Sequence, residues 1–163
     1  MIVDASVAAK WFLPEEDLEL EARLVRDAVL DERIRANAPT ILWSEVADAI
    51  VGAVRQKRFD GEQARDVSAR FRRLRASVEL TDVDVEDAVD RALRVGIGAY
   101  DAQYLSLAAM LDQSIMTADR RMLEQGRAHG YDVVWLGDVT LRDGVLVDTP
   151  QGYQDEGVTL AHE

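Results

Sequence analysis

The chain has 163 residues, 48% of them hydrophobic and 31% charged, which provides for a single packed domain and excludes a disordered, collagen-like or rod-like chain. Against 19 Lys and Arg stand 31 Asp and Glu, a formal charge of −12, so any association with nucleic acid needs a local basis rather than a global one. Cysteine is absent and only His129 and His162 carry imidazole, which excludes disulfide scaffolds, zinc ribbons and thiol nucleophiles and leaves oxygen chemistry.

The chain opens on Met1-Ile2-Val3-Asp4 without a basic region leading into an apolar one, and no apolar run approaches the roughly 18 residues of a spanning helix. A cytoplasmic protein without a membrane partner is expected. Ile2 and Val3, ending at Asp4 and followed by Ser6 to Trp11, read as strand, turn and a short helix closed by Pro14. Glu15 to Asp17 begin a second helix with Leu18, Ala22, Val25 and Val29 on its buried stripe and an end near Ile34. After Pro39, the spacing of Leu42, Val46, Ala49, Ile50 and Ala53 predicts a third helix that carries Glu45 close to its apolar face.

Ala64, Val67, Phe71 and Leu74 mark a fourth helix, with Arg65, Arg70, Arg72, Arg73 and Arg75 on its other faces. Val78 to Leu80 reads as a short strand. Thr81 and Asp82 introduce a helix with Val85, Ala88, Ala92 and Val95 on one face, ending near Gly96 and Gly98. A helix from Tyr100 to Leu111, a strand from Ser114 to Met116, a helix from Asp119 to about Ala128 and a last core strand from Val133 to Trp135 complete the pattern. Short apolar strands alternating with helices predict an α/β fold with a mostly parallel central sheet flanked by helices. Beyond Asp138 the character changes, and Arg142-Asp143-Gly144 between two apolar triplets reads as a β-hairpin in a C-terminal extension, 138–163.

Four carboxylates stand out from this layout. Asp4 and Asp119 each lie just past a strand, where open α/β sheets build their crevices, although each also precedes a helix that it can cap. Asp101 shares a helix side with Leu105 at i+4 and Ala108 at i+7, and Glu45 sits beside an apolar stripe. The alternative for Asp101 is an acid complementing the helix dipole, and for Glu45 an edge position in water. Those explanations are independent, whereas one shared site accounts for all four. Two carboxylates 4 Å apart repel by about 4 kcal/mol at an effective dielectric near 20, so a cluster of four requires protonation, basic partners or a cation. An oxygen-only set suits Mg²⁺ or Mn²⁺ far better than zinc. Such ions activate water and steady phosphodiester oxygens, so hydrolysis needs no protein nucleophile.

Residues 55–75 hold eight bases, Arg55, Lys57, Arg58, Arg65, Arg70, Arg72, Arg73 and Arg75, against Asp60, Glu62 and Asp66, a local charge of +5. That strip suits backbone phosphates, and equally a solvated helix face or a protein-docking surface. Arg120 and Arg121, nearer the acids, are better placed to steady a scissile phosphate. Trp11, Trp43 and Trp135 read as core rather than as base-stacking platforms. Gly96-Ile97-Gly98 lacks the third glycine and the preceding strand of a dinucleotide fingerprint. Neither histidine stands in a Ser-His-Asp context.

Three segments, Ile2-Val3-Asp4-Ala5-Ser6, Tyr100 to Ala108 and Met116-Thr117-Ala118-Asp119-Arg120-Arg121, resemble the PIN-domain ribonucleases, in particular the VapC-type toxins of bacterial toxin-antitoxin pairs. Glu45-Val46-Ala47-Asp48-Ala49 resembles the acidic helix start of that family. The resemblance covers roughly residues 1–137. It implies a PIN fold and a Mg²⁺- or Mn²⁺-dependent endoribonuclease whose metal-binding and catalytic acids are Asp4, Glu45, Asp101 and Asp119, with Ser6 and Thr117 as supporting hydroxyls. It further implies an RNA substrate cut to a 5′-phosphate and a 3′-hydroxyl, a homodimer, and inhibition by a cognate antitoxin. Asp48 departs from the pattern, because the family usually has Asn three residues after the glutamate. The alternative reading is a PIN-like module that binds RNA or protein without catalysis. A haloacid dehalogenase-like phosphatase is disfavoured, since Asp4 is followed by Ala5-Ser6 rather than by a second acid two positions on.

Overall fold

Five short strands form one parallel sheet in a computed structural model that describes residues 1–13, 17–58, 60–142 and 145–148. In chain order these are β1 (Ile2–Val3), β2 (Ala36–Pro39), β3 (Val78–Thr81), β4 (Ile115–Thr117) and β5 (Val133–Trp135). Their order across the sheet is β3-β2-β1-β4-β5, with every neighbouring pair parallel. The chain therefore winds outward from β1 to β3, returns to the other side of β1, and continues to β5. The reversal lies between β1 and β4, where Ile2 pairs Ile115 and Val3 pairs Met116. In an open α/β sheet that switch point is where a crevice forms at the carboxyl ends of the strands.

The helices are α1 (Ala5–Lys10), α2 (Glu19–Leu30), α3 (Leu42–Arg55), α4 (Gly61–Leu74), α5 (Val85–Val95), α6 (Ala99–Leu111) and α7 (Arg120–Ala128). They alternate with the strands as the apolar pattern predicts. β1, buried throughout, shares the core with Val7, Ala8 and Trp11 of the first helical segment, with Leu42, Val46 and Ile50 of α3, and with Leu105 and Leu107 of α6. Trp11, Trp43 and Trp135 are all buried. Phe71 of α4 meets Trp43 edge-on, with ring centroids 4.5 Å apart, and lies 5.3 Å from Phe12, so α4 is anchored through one aromatic.

β2 departs from the sequence-based reading, which runs a helix to about Ile34 and has no strand between Val3 and residue 78. α2 stops at Leu30, and Glu32 takes a positive φ of 57° that turns the chain. Ala-Asn-Ala-Pro has little intrinsic strand preference. Its four residues are nevertheless all buried and pair on both sides, so the sheet, not the local sequence, makes them a strand. Pro39, which can donate no ladder bond, occupies the last position.

Two helix starts also moved. α5 is capped by Asp84, whose side chain accepts from the amides of Glu86 and Asp87, rather than by Thr81 or Asp82, because Thr81 ends β3. α2 begins at Glu19 after Leu18 in the left-handed region; Pro14 to Glu16 lie outside the described residues. β6 (Val139–Arg142) and β7 (Val145–Asp148) form a separate antiparallel pair that packs on α2. Residues 149–163 lie outside the described residues. Among those described, no helix is long and apolar enough to cross a membrane.

Candidate active site

Asp4 follows the last residue of β1 and occupies the N-cap of α1, yet its side chain makes no capping bond. It turns instead toward β4. The hydroxyls of Ser6 and Thr117 both donate to Asp4 Oδ2, each at 2.6 Å. Each hydroxyl is itself supplied by a backbone amide: Ala118 N–H donates to Ser6 Oγ at 2.9 Å and Asp119 N–H to Thr117 Oγ1 at 3.0 Å. Two short relays, amide to hydroxyl to carboxylate, thus fix one oxygen of a carboxyl group that is only 5% exposed, and both leave Oδ1 alone. Burial pushes the Asp4 carboxyl above its ordinary range; the two hydroxyls pull it down, and Asp101 and Asp119 push it up again.

Asp119 does act as a cap: its Oδ1 accepts from the amides of Arg121 at 2.7 Å and Met122 at 3.3 Å. Capping and membership of the site are compatible, since the cap again takes a single oxygen. Asp101 stands in the first turn of α6, a helix buried on nearly every side. Burial raises its carboxyl, Asp119 raises it further, and the Gly98 backbone and the Arg121 charge lower it. A β-carbon at Gly98 would lie 3.2 Å from Asp101 Oδ2, so glycine leaves this carboxylate room at the helix start. Glu45 is half-buried in the first turn of α3 and is pushed up to about 7, by burial first and then by Asp4 and Asp101, while the Tyr104 hydrogen bond pulls it down.

All four acids therefore come to one region at the switch point, where Asp4, Asp101 and Asp119 press on one another electrostatically, as do Glu45, Asp4 and Asp101. A divalent cation suits this donor chemistry: oxygen ligands only, one oxygen of Asp4 already fixed, and repulsion that a cation relieves. Among the described residues no group of three or more acids closes directly on one point.

Tyr104 is a site residue that sequence reasoning missed. It is fully buried, and its hydroxyl donates to Glu45 Oε2 at 2.6 Å. Burial holds its phenol far above the ordinary value, so it remains a donor. The signal was its place three residues after Asp101, a polar tip on the same side of the helix.

The arginines divide. Arg121 donates from Nη2 to the carbonyl of Gly96 at 2.6 Å, tying α7 to the turn between α5 and α6. Arg120 lies over the Trp135 ring at 3.8 Å from its centroid. In the basic strip Arg55, Lys57, Arg58, Arg65, Arg70 and Arg75 are exposed, while the side chains of Arg72 and Arg73 lie outside the described residues. Asp48 is exposed on α3 and is not among the groups that shift Glu45.

The PIN domain model matches residues 1–128 of this chain. The chain belongs to the PIN domain family. It is 28% identical over 130 residues to the VapC ribonuclease Mb0985 of Mycobacterium bovis and to ribonuclease VapC9 of Mycobacterium tuberculosis, matches that span 78% of this chain and 92% of each relative. Ribonuclease VapC3 of Pyrobaculum aerophilum is 25% identical over 127 residues, 77% of this chain and 93% of that one. The crystal structure of PAE2754 from Pyrobaculum aerophilum superposes with a TM-score of 0.63 at 19% identity, over 83% of this chain and 88% of the other. A PIN domain accounts for the parallel sheet.

Proposed function

We propose that this PIN domain is a metal-dependent endoribonuclease serving as the toxin of a toxin-antitoxin pair. The observation that carries the reading is the Asp4 carboxylate, buried at the switch point, fixed through one oxygen by Ser6 and Thr117 and surrounded by Glu45, Asp101 and Asp119. The ribonuclease relatives support RNA as the substrate. Asp4 and Asp101 would hold a Mg²⁺ or Mn²⁺ ion, with Glu45 and Asp119 completing its surroundings directly or through water. When bound, the ion supplies activation of water and neutralisation of phosphate charge.

The chain's own residues do the rest. Ser6 and Thr117 orient Asp4; buried β1 and β4 keep the site rigid; Arg121 lowers the burden of negative charge near Asp101. Arg120, Arg121 and the strip that includes Arg72 and Arg73 are proposed to carry the RNA backbone. An apolar groove of about 450 Å³ between α3 and α4, lined by Ile50, Val51, Val54 and Phe71 beside Arg55 and Arg65, suits an apolar antitoxin segment with acidic flanks. Exposed Val85, Val89 and Leu93 recur every fourth residue along α5 and support self-association into a homodimer. The PIN unit is proposed to span residues 1–137 with 138–163 as an extension, in a cytoplasmic protein.

The test is cleavage of a mixed tRNA and ribosomal RNA pool by purified, partner-free protein in Mg²⁺ or Mn²⁺, beside an EDTA control and Asp4→Asn. Discrete fragments that need both the metal and Asp4 are expected. Equal cleavage by Asp4→Asn would overturn the assignment, and RNA retained without fragments would favour the binding-module reading.

A further inference from the structure

Tyr104 is the largest of the fully buried side chains, and its hydroxyl reaches Glu45 across 59 residues of sequence. Packing alone does not call for that hydroxyl. Phenylalanine would fill the same volume without placing an O–H in the interior, where it is costly unless it finds a partner. Asp101 precedes Tyr104 by three residues on α6, so both lie on one side of the same helix. One buried helix thus supplies a carboxylate of the site and grips a second that belongs to α3.

The bond takes Glu45 Oε2 and leaves Oε1 uncommitted to the tyrosine. The same economy holds elsewhere in the site: Ser6 and Thr117 take only Oδ2 of Asp4, and the α7 amides take only Oδ1 of Asp119. A glutamate in the first turn of a helix has several rotatable bonds to immobilise when it binds an ion, and fixing them beforehand strengthens binding. Partners that orient a ligand in this way typically contribute 10- to 100-fold in metal affinity.

We propose that Tyr104 is a positioning residue: its hydroxyl fixes Glu45 so that this carboxylate offers its other oxygen, directly or through water, to the divalent cation held with Asp4 and Asp101. The inference rests on the metal-dependent reading above and adds to it a residue that contacts neither ion nor RNA.

The test is a calorimetric Mn²⁺ titration of the full chain, comparing the parent, Tyr104→Phe, Glu45→Ala and the double variant. Tyr104→Phe should weaken Mn²⁺ binding by about tenfold or more and should cost nothing further in the Glu45→Ala background, since a residue that acts through Glu45 has nothing left to position. A merely structural role would lower the melting temperature and give the same change in both backgrounds. Mn²⁺ affinity within twofold of the parent in Tyr104→Phe overturns the inference. So does unchanged affinity in Glu45→Ala, however Tyr104→Phe folds. A parent chain that binds no Mn²⁺ overturns the metal-dependent reading itself, and the positioning role with it.

Discussion

Thr117 ends one central strand, Asp4 follows the end of its neighbour, and the Thr117 hydroxyl spans the gap to Asp4 Oδ2 in 2.6 Å while accepting the amide of Asp119. Thr117→Val keeps the shape and removes both bonds. A buried group left without its partner costs about 1 to 3 kcal/mol. Because the hydroxyl favours the ionised carboxyl, the loss should be larger at pH 8 than at pH 5. Urea denaturation at both pH values in EDTA measures this, and equal losses would mean that Thr117 does not support the charged form.

The same carboxyls set the pH dependence of the metal-free protein. Asp4, Glu45 and Asp101 are all raised above their ordinary values, so between those values and the folded ones the native state binds more protons than the unfolded state. Their contribution to stability is then fully present below about pH 4 and lost as pH rises, with the Glu45 part lost through about 7. Asp87, lowered by its bond to Arg91, works in the opposite sense at lower pH. In EDTA the melting temperature should therefore fall from pH 5 to pH 8, and saturating Mn²⁺ should remove most of that fall. Asp4→Asn should flatten the slope. A metal-free melting temperature that rises over this range would contradict the burial of these acids.

Much of this architecture was legible because it is local. Apolar spacing marks α3 and α6, Gly96 stops α5 in the left-handed conformation, and the tripeptides Ile115–Thr117 and Val133–Trp135 are apolar enough to declare strands. Convergence of the acids was legible only as a coincidence of two positions past strand ends, Asp4 and Asp119, and two beside apolar helix faces, Glu45 and Asp101. What was hidden was tertiary in origin. Ala36–Pro39 becomes a strand through partners on both sides, and the role of Tyr104 depends on a bond to Glu45 that lies 59 residues away in sequence. Asp119 shows a further limit: capping and site membership look like alternatives in sequence, and the two oxygens of one carboxyl serve both.

Gly98→Ala offers a way to disturb the site with little effect on the fold. Gly98 has φ −68° and ψ 153°, a conformation open to any residue, so the substitution carries no backbone strain. Its new methyl would stand 3.2 Å from Asp101 Oδ2, tight enough to push that carboxylate aside by a few tenths of an ångström. The expected outcome is a melting temperature close to the parent's with cleavage and Mn²⁺ affinity both reduced. Parent-like cleavage would show that Asp101 tolerates displacement and is not a close ligand.

Arg120 and Arg121 are adjacent in sequence and differ in what holds them, so their alanine variants should separate. Arg120 stacks on the buried ring of Trp135, and such a contact contributes about 0.5 to 1 kcal/mol at an exposed site. Arg120→Ala should lower stability by about that much and change Trp135 emission. Arg121 is exposed, lies near Asp101 and reaches the Gly96 carbonyl through one guanidinium nitrogen, which leaves its other donors open to a phosphate. Arg121→Ala should weaken RNA binding and reduce the slope of log affinity against log salt by about 1, as expected for one lost phosphate contact. Arg121→Lys should restore much of the slope, since the charge returns, but less of the cleavage, since the fork that spans Gly96 and phosphate does not. The competing assignment, a purely structural tie, predicts an unchanged salt slope in Arg121→Ala with a lowered melting temperature, and salt-titrated RNA binding beside thermal melts of the same preparations decides between them.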